Sequence, residues 1–228
     1  MIRHPRAPEC AGWLAPALAA LAASAPSAPA PPIHDWPIDF GPERVALTKE
    51  YLRDHAGLAG DTIEIEPRMI VVHWTGGPSV DAAFRTFAPA RLGKGRPALA
   101  RASALNVSAH FLVARDGTIH RLMPETWMAR HVVGLNHLAL GIENAGGPKA
   151  PLTAAQLAAD EALVRWLVAR HAGIRWLIGH YESNGFDRSE LWRERDTHYR
   201  TKKGDPGKAF MAALRARVAD LGLLGPAD

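Results

Sequence analysis

The chain has 228 residues, of which 47 % are hydrophobic. That is enough for one domain with a sizeable core and a short appendage, and too apolar for a disordered chain. Lys and Arg number 27 against 23 Asp and Glu, giving a net charge of +4 and a pI near 9.5. This mild excess suits an anionic partner, but no tight basic cluster interleaved with aromatics occurs, which argues against nucleic acid.

In chain order, the first segment reads as an export signal. "MIRHPR" is a basic start, "AGWLAPALAALAA" an apolar run of 13 residues, and "SAPSAPA" a small-residue tail. A run that short does not span a membrane, so no stable insertion is expected once it is removed. Pro follows both A-x-A matches, Ala25 and Ala30, so the cleavage point stays open. Cys10 precedes the apolar run; its removal leaves no cysteine, hence no disulfide and no thiolate nucleophile or ligand. Residues 1–30 are expected as signal and Ala/Pro-rich tail, 31–44 as linker and 45–224 as the folded domain.

Within that domain, residues 43–56 have helical propensity. Met69 to Val72 form a buried strand running into His73 and then a Gly pair. Residues 79–88 fit a helix capped by Ser79. Residues 88–106, rich in Pro, Gly, Ala and Arg, read as an irregular loop. "VSAHFLVARDGTIHRLMP" alternates on both sides of Asp116-Gly117, a hairpin signal. "HLALGIENAGG" is a further strand. Thr153 caps a helix with an apolar face of Leu157, Leu163, Val164, Leu167 and Val168, stopped at Gly173. "IRWLIGH" is a short strand ending at His180. Residues 181–201 are expected as a long loop with a helical piece around 189–195, and a last helix follows Gly207. Interleaved strands and helices predict an α/β or α+β domain: one mixed central sheet flanked by helices.

Two histidines share a context: His73 and His180 each end an apolar strand, where layered folds build their sites. Imidazole is a preferred zinc ligand, although a strand-end histidine also serves as a plain polar cap. Asp205, in "KKGDPG", is either a turn residue or a third ligand whose angle Pro206 and Gly207 fix. Glu143 ends the apolar run Leu138–Ile142; it is either a solvent-facing charge or a partly buried carboxylate able to act as a general base. Lys203 lies two residues before Asp205 and is either solvated or aimed at the same site.

The segments "IVVHWTGG", "VSAHFLVARDGTIHRLMP", "LALGIEN", "LIGH" and "KKGDPG" occur in the order and spacing of the zinc-dependent N-acetylmuramoyl-L-alanine amidases. The chain resembles this type 2 amidase and peptidoglycan recognition superfamily from about Val45 to Leu221. The resemblance implies a mixed sheet flanked by helices and cleavage of the amide between N-acetylmuramic acid and L-alanine in peptidoglycan or its muropeptides. It implies one Zn2+ per chain held by His73, His180 and Asp205, with Glu143 as catalytic acid/base and Lys203 supporting the oxyanion. His131, in "MARHVVG", and Trp74 would border the substrate groove, while His110 would pack. An aspartate at the third ligand matches the bacterial cell-wall branch; phage and animal enzymes often have cysteine there. The tyrosine some members use would fall near Ala109. Residues 181–202 would form a lid or groove wall, with Tyr181, Phe186, Trp192 and Tyr199 packing or binding sugar. The expected enzyme is a monomer exported to the periplasm or beyond. The rivals are a non-hydrolytic peptidoglycan-binding module and a zinc peptidase acting on stem peptides, against which stand the full ligand set and the lack of H-E-x-x-H.

Overall fold

The computed structural model describes residues 29–226, so the expected signal segment lies almost wholly outside the described residues. Six strands form one mixed sheet: β1 (Ile33–Asp35), β2 (Met69–Trp74), β3 (Phe111–Val113), β4 (Ile119–Arg121), β5 (Ala139–Asn144) and β6 (Trp176–Gly179). Their spatial order is β1-β4-β3-β5-β2-β6. Only the β3–β4 hairpin is antiparallel; the other neighbours are parallel. Five helices accompany the sheet: α1 (Pro42–Ala56), α2 (Val80–Phe87), α3 (Pro97–Ala102), α4 (Ala154–Arg170) and α5 (Lys208–Arg217).

The central strands are apolar because both faces are covered. In β2, Met69, Ile70, Val71 and Val72 are all fully buried, each side chain contributing about 1.5–3 kcal/mol. Strand alternation divides them. Ile70 and Val72 join Leu163, Val164 and Leu167 of α4 and Met211 and Leu214 of α5. Met69 and Val71 meet Val132, Leu135, Leu138 and Phe186 on the opposite face. His73 continues the parity of Val71, so it emerges on the face away from α4 and α5. Parallel register sets His73 beside Glu143, and both side chains share that face. Asn144, one residue on, turns back toward α4.

Helix α4 starts where its sequence says. The Thr153 hydroxyl accepts from Gln156 N, and the Gln156 side chain accepts from Thr153 N, a complete capping box. It ends at Arg170, before Gly173, with His171 as the last cap. Ser79 caps α2 as expected, accepting from Ala82 N.

Three local expectations are corrected. Residues 88–106 are not wholly irregular: Pro97 at the first helical position and the alanines after it nucleate α3. The helical piece of the 181–201 segment is a 3-10 turn at His180–Phe186, not at 189–195; Glu182 closes it by accepting from Gly179 N at 2.8 Å. The expected linker contributes β1, which pairs with β4, and the Ile38 side chain behind it is buried.

Candidate metal centre

Three chain segments deliver three ligand atoms to one point. His73 comes from the C-terminal end of β2, His180 follows β6, and Asp205 precedes α5. All three side chains are buried, and their ligand atoms lie within 4.8 Å of one another. His73 Nδ1 is 2.9 Å from His180 Nδ1 and 3.2 Å from Asp205 Oδ2; His180 Nδ1 is 3.0 Å from the same oxygen. Gly207, two residues after Asp205, has φ 92°, a conformation that glycine adopts without Cβ strain and that launches α5.

A hydrogen-bond chain decides which His73 nitrogen faces the cluster. The Ala139 carbonyl can only accept, so His131 Nε2, 3.1 Å away, donates to it. Neutral His131 then accepts at Nδ1, and His73 Nε2 donates to it at 3.0 Å. Burial, reinforced by the neighbouring charge of His73, pushes the His131 pKa well below its ordinary value and keeps that ring neutral. With its Nε2–H committed to His131, a neutral His73 turns its Nδ1 lone pair toward His180 and Asp205, while a protonated His73 turns an Nδ1–H there that Asp205 accepts. Gly141 makes room for this arrangement: a Cβ there would sit 2.9 Å from the His131 ring. Burial first, and then the charge of His73, lowers the His180 pKa to about 4. Burial alone would raise the Asp205 carboxyl, but hydrogen bonds from His180 and His73 hold it far below the usual range.

Two imidazole nitrogens and an ionised carboxylate, with no cationic side chain among them, are a donor set that fits a divalent zinc-like cation. Ligands at about 2.0–2.1 Å from one tetrahedral ion stand roughly 3.3 Å apart, close to the spacings found here.

These residues open onto a cleft of about 390 Å³, also lined by Trp74, Arg96, Leu99, Arg130, His131, Glu143, Tyr199, Thr201 and Lys203. Glu143 Oε2 is buried with no hydrogen-bond partner. Burial raises its carboxyl to about 7; the charge of His73 opposes this and that of Asp205 adds to it. An orphaned carboxyl that titrates near neutrality beside a metal-ligand cluster is a proton acceptor in waiting. Lys203 is an exposed cation on the cleft rim and forms no ion pair among the described residues. Trp74 flanks the cleft, its ring 3.5 Å from where a Gly207 Cβ would stand.

His131, expected only as a groove residue, both lines the cleft and holds His73. His110 accepts from Gly141 N and donates to the Trp127 carbonyl, tying β5 to a loop. Behind the cluster, Asn144 donates to Asp160 Oδ2 at 2.9 Å and more weakly to the His73 carbonyl at 3.4 Å. The one local trace of this support in the sequence is an aspartate, Asp160, on the buried face of α4. Of the loop aromatics, Phe186 and Tyr199 are buried, and Trp192 packs under Arg200 at 4.9 Å. Tyr199 still walls the cleft.

The sequence profile of the N-acetylmuramoyl-L-alanine amidase family (Amidase_2) matches residues 64–208. Two solved structures share the architecture. One is the endolysin amidase LysCS from Clostridium intestinale URNW, 19 % identical, covering 84 % of this chain and 98 % of that one with a TM-score of 0.53. The other is the amidase LysC from the same organism, 20 % identical, covering 83 % of this chain and 98 % of that one with a TM-score of 0.52. No curated protein matches the chain in sequence. Fold and site together define a mixed-sheet hydrolase with a candidate metal centre. The chain belongs to the N-acetylmuramoyl-L-alanine amidase family, whose members are peptidoglycan amidases.

Proposed function

We propose that the protein hydrolyses the amide between N-acetylmuramic acid and the L-alanine of peptidoglycan or muropeptides in a zinc-dependent reaction. The observation that carries this reading is the relay from the Ala139 carbonyl through His131 to His73, which occupies Nε2 and leaves Nδ1 to face His180 and Asp205. His73, His180 and Asp205 would hold one Zn2+. When bound, zinc polarises a carbonyl and acidifies water, lowering its pKa to about 7.

The chain's own groups supply the proton traffic. Glu143, beside His73 and unpaired, takes the proton of the attacking water as the oxygen–carbon bond forms. It returns a proton to the L-alanine nitrogen as the carbon–nitrogen bond breaks, leaving a lactyl carboxylate and a free amine. The Lys203 ammonium supports the negative charge developing on the carbonyl oxygen, a role worth about 3–4 kcal/mol for one good donor. Trp74 and His131 form the cleft walls that place the sugar–peptide junction.

The basic start and apolar run of residues 1–23 support export to the periplasm or beyond, with a monomer acting on cell wall or its fragments. Mass spectrometry of products from defined muropeptides tests the reading. Release of intact stem peptide with a new L-Ala amino terminus, abolished by chelation and restored by zinc, is expected. Cleavage within the peptide would favour a peptidase instead, and binding without products would favour a recognition module.

A further inference from the structure

Away from the metal ligands, one buried side chain is hydrogen-bonded to two segments that each line the cleft. His55, on α1, is 6 % exposed. Its Nδ1 lies 2.9 Å from Glu194 Oε1, in the segment that continues to Tyr199, Thr201 and Lys203. Its Nε2 lies 2.9 Å from the carbonyl of Ala102, the last residue of α3, which brings Leu99 to the cleft lining. The ring stacks on Tyr51 at 4.4 Å and meets Tyr199 tilted at 5.5 Å.

The chemistry of these contacts demands a proton. A carbonyl oxygen and a carboxylate oxygen both accept, and a neutral imidazole offers one donor only. Nε2–H serves Ala102, so a second proton must lie between Nδ1 and Glu194, whichever of the two atoms owns it. Removing it sets a lone pair against a carboxylate oxygen in a buried site, where unpaired polar groups are most costly. The remaining groups facing the ring or its partner are accounted for. Arg130 lies over both tyrosines and donates to Tyr199 Oη, and Asp196 N donates to Glu194 Oε1. Arg195 N donates to the His55 carbonyl, and Asp54 is the chain neighbour. No other acidic side chain reaches the ring among the described residues.

We propose that His55 and Glu194 are positioning residues for the cleft: the proton held between them fastens the two cleft-lining segments to α1, and substrate affinity falls when it is lost. Burial alone would lower the His55 pKa, but the bonds to Glu194 and Ala102 raise it above 6.5. The raised direction means the clamp is closed below pH 6.5 and released as pH climbs through the folded value.

The inference uses the amidase reading only for the substrate that reports affinity. The test follows KM and kcat for a soluble muropeptide on zinc-saturated full-length protein, from about pH 6 to about pH 9. Amide-exchange protection of residues 98–102 and 194–203 is followed in parallel, corrected for the intrinsic rate. Wild type should show KM rising about tenfold, the factor that one lost charge-assisted hydrogen bond represents, while both stretches lose protection together. Glu194→Gln should move the rise in KM to lower pH, because the amide oxygen held by Asp196 N at the shared Oε1 position still accepts from His55 Nδ1–H but carries no charge to retain that proton. His55→Gln, unable to reach both partners, should raise KM about tenfold at every pH. A KM rise left at the wild-type pH in Glu194→Gln, or protection unchanged across the range, would overturn the proposal. Should a variant fail to fold, the wild-type His55 ring resonance decides: its titration midpoint must coincide with the loosening of both stretches, and separate midpoints refute the clamp. A muropeptide left uncut would sink the amidase reading, while exchange and resonance would still decide this one.

Discussion

Asp160→Asn should stabilise the protein. Asp160 is fully buried on α4; among the described residues its side chain bonds Asn144 alone, and its Oδ1 has no partner. Burial pushes its carboxyl from 3.8 to about 7. At pH 8 the folded protein therefore carries a carboxylate that the unfolded chain solvates far better. About three pKa units at 1.36 kcal/mol each give an upper bound of about 4 kcal/mol. Between pH 3.8 and about 7 the folded state holds a proton that the unfolded state has released, so wild-type stability falls with rising pH across that window and levels off above it. Asparagine has no such titration. Its oxygen keeps the bond from Asn144 Nδ2. Urea unfolding at fixed zinc should show the variant ahead by about 2–4 kcal/mol at pH 8 and near parity at pH 4. A variant less stable than wild type at pH 8, or a difference constant from pH 4 to pH 8, would refute the reasoning.

Glu143→Gln should retain zinc and fold yet lose about 10²–10⁴-fold in turnover on muropeptides; metal analysis beside kinetics checks both, and near-normal turnover would assign the base elsewhere. Asp205→Asn and His180→Ala should instead lose the metal itself, and full zinc occupancy in either would dismiss them as ligands. His131→Ala should weaken zinc affinity by about 10–100-fold, measured by competition with a chelator, because the His73 ring loses the acceptor that fixes its tautomer; unchanged affinity would leave His131 a groove residue alone. N-terminal sequencing of the native protein should find a start within residues 23–33, and a cytoplasmic protein beginning at Met1 would end the export reading.

How much of this was legible beforehand depends on the range of the forces involved. The apolar run before His73 and the one before His180 announce buried strands by themselves. The Thr153–Gln156 capping box and the Asp116-Gly117 turn are equally local, needing only neighbours within four residues. Strand parity and a parallel register then place His73 and Glu143 on one face. The sequence thus determined the central sheet, the principal helices and the residue types of the site. Tertiary structure decided the rest. β1 is three residues in a Pro-rich stretch that becomes a strand only because β4 offers it an edge. His73 meets His180 across 107 residues, and His55 meets Glu194 across 139. Which nitrogen carries a proton, which carboxyl is orphaned and which wall is fastened to which helix all depend on donors and acceptors brought within about 3 Å by packing. Periodicity along the chain carries no record of such meetings, because a hydrogen bond between distant segments leaves no repeating pattern in either one.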